Sequence, residues 1–275
     1  MSHSAGNTPV WQAKESRLLV VLGAFFVGNA LLAEFIGVKI FSVERTLGFE
    51  PVNWTLFGVS GLSLNMTAGV LIWPLVFVMT DIINEYYGQR GVKLLSYMAA
   101  GIIAYAYLVI QLAVWVVPAD FWQVKNLPQG QVPLNAAFQA IFGQGAWIII
   151  GSLVAFLIGQ LVDAVTFHLL KHRTGERMIW LRATGSTVIS QLIDSFVVIF
   201  IAFYLGAGWQ LSTVLAIAAV NYIYKVGAAI VLTPLVYLGH WMIDRYLGPK
   251  KSAALRAAAH QQSYASDIRW THLSD

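Results

Sequence analysis

The chain has 275 residues, 58% hydrophobic and only 11% charged, with a formal net charge of +4 and no cysteine. Soluble domains carry about 25% charged residues, so this composition, with a mean hydropathy of +0.67, places the sequence among polytopic membrane proteins. The absence of thiols excludes a disulfide, a thiolate nucleophile and a cysteine metal site.

A spanning helix needs about 20 mostly apolar residues, and six runs qualify: 18–41, 66–86, 92–117, 146–170, 183–205 and 211–242. They predict an all-α membrane protein with a six-helix domain over 18–246, a short segment 1–17 before it and a polar, loosely held tail 247–275 after it. The first run lacks a small-residue cleavage site and contains Glu34, so it reads as an uncleaved span rather than a signal peptide. It also carries Asn29 and Lys39; Glu34 is placed to reach an interior pocket, while Lys39 snorkels to the surface. The segment 42–65 is rich in Gly and β-formers (Val43, Val52, Trp54, Thr55, Val59) and predicts a hairpin or a re-entrant piece. In the second run Pro74 removes a backbone donor, a loss that neighbours must make good in lipid.

That second run ends in Thr80-Asp81-Ile82-Ile83-Asn84-Glu85-Tyr86. Asp81 and Glu85 stand four apart on one helical face. Either they belong to a polar site, or they cap the membrane interface against Arg90, Lys93 or a neighbouring basic loop. The third run offers Gln111 and little else, with Tyr105 and Tyr107 suited to local hydrogen bonds, so it reads as a packing helix. After it, 118–145 holds three prolines and an apolar stretch, 134–142, suited to the membrane surface.

The fourth and fifth runs each place a glutamine and an aspartate three residues apart, Gln160/Asp163 and Gln191/Asp194. An ionisable group at a span centre costs about 2.5–3.5 kcal/mol and is read as functional by default. At 1.5 Å per residue, Asp163 lies roughly 12 Å from Lys171 and Asp194 roughly 18 Å from Arg182. The two helices run antiparallel through a basic turn, so both pairs fall at mid-depth and are expected to face one shared cavity. Phe167 and His168 extend the first face, His168 as an interface anchor. The fifth run adds Thr187, Ser190 and Ser195 in a polar stripe, of which the hydroxyls suit helix–helix bonding. The sixth carries Asn221, Tyr222, Tyr224 and Lys225; Lys225 needs a carboxylate, Asp163 or Asp194, as a structural pair or as a coupling switch.

The basic residues alternate in sidedness. Lys14 and Arg17, Arg90 and Lys93, Lys171, Arg173, Arg177 and Arg182, then Arg245, Lys250, Lys251 and Arg256 share one side, whereas Arg45 and Lys125 lie opposite. This predicts both termini inside and excludes a nucleic-acid surface, which needs one clustered basic face. Neither Gly-x-Ser-x-Gly, His-Glu-x-x-His nor a phosphate-binding loop occurs, so hydrolytic and ATP-driven chemistry within this chain is not expected, and no filter repeat suggests a channel. Carboxylates, amides and aromatic rings gathered at mid-depth instead suit a small, flat, polar solute.

Phe77-Val78-Met79-Thr80-Asp81-Ile82-Ile83-Asn84-Glu85-Tyr86-Tyr87-Gly88 resembles the hallmark segment of the vitamin-uptake-like family of queuosine precursor transporters. Gly159-Gln160-Leu161-Val162-Asp163 and Ser190-Gln191-Leu192-Ile193-Asp194-Ser195 are similar to that family's later motifs, in the same order. The resemblance implies import of a 7-deazaguanine base, 7-cyano-7-deazaguanine or 7-aminomethyl-7-deazaguanine, across a bacterial inner membrane. It also implies six helices arranged as in the substrate-binding subunits of energy-coupling-factor transporters. Its binding residues would be Asp81, Asn84, Glu85, Gln160, Asp163, Gln191 and Asp194. On this reading Asp163 or Asp194 accepts from the amine edge, Gln160 and Gln191 pair with the remaining groups, and Phe167 or Tyr222 stacks on the ring, with Asn221 and Lys225 nearby. The expected partners are a nucleobase-like solute and the bilayer, with no cofactor and no metal; a homodimer stays open. The alternative is a binding subunit for another vitamin that works with separate ATPase partners, for which the first run offers only Ala24-x-x-x-Gly28 as a docking pattern.

Overall fold

The computed structural model describes residues 13–128, 130–143, 145–174 and 178–271, the side chains of 172 and 262–271 excepted. Residues 1–12, Arg177 and the last four positions, all counted in the sequence reading, lie outside the described residues. The helices are α1 (Lys14–Ile36), α2 (Val43–Thr46), α3 (Trp73–Trp115), α4 (Leu134–Phe142), α5 (Ala146–Thr174), α6 (Ile179–Ile199), α7 (Leu211–Leu247) and α8 (Pro249–Thr271). Among the described residues, five stretches are long and apolar enough to cross a membrane: Lys14–Ile36, Trp73–Trp115, Leu134–Lys171, Ile179–Leu205 and Leu211–Leu247. Their outer faces expose large apolar side chains such as Val21, Phe25, Leu108, Leu112, Val231 and Trp241, the surface a lipid-facing bundle presents.

Five stretches stand where six runs were expected, because the second and third are joined in α3. A continuous helix of its 43 residues would measure about 65 Å, twice the hydrocarbon core. The helix is broken at Gly88, where φ is 66° and ψ −174°, a region open essentially to glycine. The chain folds back there. A Cβ built on Gly91 would lie 3.4 Å from Ile83 Cγ2, whereas eight residues of unbroken helix span about 12 Å. Both limbs accordingly lie along α1: Tyr87 donates to the Glu15 carbonyl at 2.7 Å, Gly23 faces Leu95, and Gly69 faces the Ala33 carbonyl near the other end.

The segment between the first two runs is the expected hairpin. β1 (Ile40–Ser42) pairs with β4 (Asn65–Thr67), and β2 (Trp54–Leu56) with β3 (Val59–Leu62). Positive φ at Phe57 (51°) and Gly58 (78°) gives the turn type whose twist matches the strands. Buried Glu44 accepts the Leu64 amide at 2.7 Å and the Ser42 hydroxyl at 3.1 Å, tying the two strand pairs together. Trp54, Leu56 and Leu62 pack with Val220 and Tyr224 of α7, so the hairpin covers one end of the bundle. A second hairpin, β5 (Val124–Leu127) with β6 (Gly130–Pro133), leads into α4.

These strands correct two run boundaries. The first run ends as helix at Ile36 and continues as β1, and the second begins as helix only at Trp73. Pro74 therefore sits in the first turn of α3, where its missing donor would have no intrahelical partner anyway. The compensation expected from neighbours is unnecessary. The polar tail also differs from its expectation. It forms α8, which seats Ala259 against Gly88, with a Cβ on Gly88 approaching the Ala259 carbonyl to 3.2 Å. Gly88→Ala should lower stability by about 1–3 kcal/mol, read as a fall in the thermal midpoint of the detergent-solubilised protein.

Candidate functional site

Polar residues inside the bundle fall into three connected groups, set by helix periodicity. The first is a cleft between the first limb of α3, α6 and α7. Three rows face it: Trp73, Phe77 and Asp81 at four-residue steps; Thr184, Thr187 and Gln191; and Lys225, Ala229 and Thr233. Each row is one helical stripe. Thr184 and Thr233 share a hydrogen bond at 2.9 Å that closes the wall between α6 and α7. Asp81 stands about 12 Å along α3 from Trp73, while Val70, packed in the same apolar cluster as Tyr224, lines the hairpin end. The cleft thus carries an acid towards one end and the Lys225 ammonium towards the other.

Behind the cleft lies a fully buried second layer. Ser186 donates to Asp81 Oδ1 at 3.5 Å and Ser190 to Asp163 Oδ1 at 3.0 Å. Thr80 donates to Gln160 Oε1 at 2.6 Å, and the Asn84 amide to the Ala164 carbonyl at 3.0 Å. Gln160 and Asp163 are 0% exposed. Their face of α5 is taken up by α3 and α6, so they support the cleft wall rather than line it. The third group reaches the cleft through Lys225, whose Nζ pairs with Asp194 Oδ2 at 2.5 Å. Asp194 also lies beside Gly159 of α5.

The two Gln–Asp pairs, Gln160/Asp163 and Gln191/Asp194, are expected from the sequence to wall one cavity. Of those four residues only Gln191 lines the cleft. The three-residue spacing does put each pair on one face, but adjacent helices meet that face at different depths. The pairing of Asp81 with Glu85 also divides. Asp81 reaches the cleft, whereas Glu85 Oε2 is held by Lys171 at 2.9 Å and Arg182 at 3.3 Å, which is the interfacial-cap reading with partners from the α5–α6 turn. Phe167 lies under the Arg182 guanidinium, 5.5 Å from ring centre, and Asn221 bonds back to the Ile217 carbonyl. Neither they nor Tyr222 line the cleft. Lys225 finds Asp194, one of its two expected partners.

Sequence reasoning missed Trp73, Phe77, Thr184 and Thr233. The signal was present for the aromatics: Trp73 and Phe77 precede Asp81 by eight and four residues, on the same stripe. The described residues contain no group of three or more His, Asp or Glu placed to hold a metal ion.

Fold and composition together define a multi-pass, mostly helical membrane protein with a cleft between its helices. A family model described as "Putative vitamin uptake transporter" matches residues 67–239, and the chain belongs to that family. It is 27% identical over 228 residues to the "Probable queuosine precursor transporter" of Bacillus subtilis (strain 168), covering 82% of this chain and 90% of that protein. The protein of the same name from Haemophilus influenzae is 24% identical over 82% of this chain and 88% of its own length. The "Queuosine precursor transporter" of Escherichia coli (strain K12) is 26% identical over 73% and 85%. No solved structure matches the chain.

The buried Glu85 group yields a stability prediction. Removing one partner of a buried ion pair leaves the other charge uncompensated, at about 3–5 kcal/mol. Glu85→Ala should therefore unfold far more readily in a detergent melt than Asp81→Asn, whose carboxylate lies at the cleft.

Proposed function

We propose that this chain is a bacterial inner-membrane transporter that imports a queuosine precursor, a 7-deazaguanine base, and holds the base in the cleft between α3, α6 and α7. The relatives' names support the substrate class. The observation that carries the site is the pairing within one cleft of a carboxylate, an amide and two aromatic rings, Asp81, Gln191, Trp73 and Phe77. Asp81 is a two-point acceptor for the ring N–H and the exocyclic amine of a guanine-like edge. Gln191 offers a donor and an acceptor to the opposite edge, with Lys225 a donor beyond it. Trp73 or Phe77 supplies the stacking face expected of Phe167 or Tyr222. Gln160, Asp163 and Asn84 brace Asp81 and α6 from behind, and Glu85 fixes the inner end.

In this reading each limb of α3 crosses the bilayer once, which gives six crossings, with both termini on the basic inner side. The 18–246 segment is the transport unit, and the solute emerges chemically unchanged. The chain works without ATPase partners, as a homodimer or alone.

Purified protein titrated with 7-cyano-7-deazaguanine should gain thermal stability, since a ligand that binds only the folded state raises it. Asp81→Asn and Gln191→Ala should each weaken binding by roughly ten- to a hundredfold, as expected for losing a hydrogen bond of about 1.5–3 kcal/mol to a charged group, less for the neutral amide. Unchanged affinity in both variants would remove the cleft from the reading. Uptake by liposomes containing this chain alone separates it from a binding subunit that needs an ATPase.

A further inference from the structure

A second cavity lies between α1, the second limb of α3, α4 and α5. Its lining is apolar (Leu31, Ile103, Ile149, Phe142) apart from Tyr107 and one carboxylate, Glu34. Glu34 Oε2 accepts a hydrogen bond from Ser152 of α5 at 2.6 Å. Asp194 of α6 lies beside Gly159 of α5, two turns or about 10 Å along the same helix face from Ser152, and Asp194 is bonded to Lys225 of α7, which lines the cleft. The charged groups therefore form a line from one cavity to the other: Glu34, Asp194, Lys225.

The charge of this trio is the argument. Two carboxylates and one ammonium carry a net charge of −1 when all are ionised, and a net charge inside a bilayer is costly. The groups facing Glu34 from the packed elements are Tyr107 on α3, Ser152 on α5, Asp194 on α6 and, behind it, Lys225 on α7; α4 contributes Phe142. Among these described residues only Lys225 is a cation. One added proton makes the trio neutral, and Glu34, the member without an ammonium against it and the one that lines the second cavity, is where that proton fits.

We propose that Glu34 is the coupling site at which one proton enters together with the base, communicating with the cleft through the Asp194–Lys225 pair. The proton passes from water in the second cavity to the Glu34 carboxylate and leaves it on the inner side when the base is released. With Glu34 neutral, Asp194 and Lys225 balance each other, and this trio carries no net charge through the conformational change. A base contacting Lys225 biases the same pair from the cleft side, which links occupancy of one cavity to protonation in the other. This inference rests on the transport reading above.

The test is uptake of labelled 7-cyano-7-deazaguanine into proteoliposomes of the full chain, with thermal-shift binding of the same base measured in parallel. With the outside one pH unit more acidic, wild type should accumulate the neutral base up to about tenfold, because one pH unit and one tenfold concentration ratio carry the same free energy. Vesicles loaded with a pH dye should acidify as base enters. Glu34→Gln should bind the base but stop at equal internal and external concentrations with no dye response, while Glu34→Asp should restore part of the accumulation. Wild type that equilibrates the base without regard to pH, or Glu34→Gln that accumulates it as well as wild type, would overturn the proposal. A sodium gradient that drives accumulation in place of the proton gradient would overturn it too. Wild type that shows no stabilisation by the base and no uptake would instead bring down the transport reading itself.

Discussion

Inside a bilayer a carboxylate survives only if another helix brings it a partner, and the arrangement of this bundle follows from where those partners come from. Glu85 on α3 draws Lys171 from the end of α5 and Arg182 from the start of α6. That contact pins three helices at one level. Asp194 draws Lys225 and pins α6 to α7. Asp163 takes a hydroxyl from Ser190, and Gln160 one from Thr80, so α5 is held to both of its neighbours without a cation. Apolar packing alone gives little direction to helices surrounded by lipid tails, and such polar contacts fix which faces meet.

Once those contacts are made, the cleft is what they leave between α3, α6 and α7. Its wall is layered: residues that touch the cavity stand in front of residues that orient them. Ser186 illustrates the layering. It donates to Asp81, which lines the cleft, and its α6 neighbour Ser190 donates to the buried Asp163. The aspartates are thereby linked through one helix face, and a change at Asp163 reaches the cavity through α6 without direct contact.

Much of this was legible from the sequence, and the illegible parts have a common cause. Run length marked the apolar elements, the Gly- and β-rich stretch 42–65 marked the hairpin, and a polar or ionisable residue in an apolar run marked Asp81, Gln191 and Lys225 as noteworthy. Periodicity says which residues share a face, but it does not say which neighbour that face meets or how far along. Gln160 and Asp163, read from the sequence as cavity residues, are accordingly found fully buried between α3 and α6. Lys171 and Arg182 show the converse. In sequence they read as loop charges reporting orientation, yet they are 6% and 0% exposed because Glu85 waits at the same level. Trp73 and Phe77 were overlooked because aromatic residues in a membrane run are ordinary, and only their register with Asp81 sets them apart.

The notch at Gly88 has a consequence for how the molecule is made. The two limbs of α3 emerge from the ribosome in the first half of synthesis, but the surface of the turn between them is covered by Ala259, near the end of the chain. Asp244 of α7 accepts from Tyr86 beside that turn at 2.8 Å and from Ser252 of α8, with Arg256 close by, so the covering piece is fastened by groups that also appear late. Until α8 arrives, the reversal stands open to water with its polar neighbours unmatched. The reversal of α3 is therefore completed only once α8, far later in the chain, packs against it.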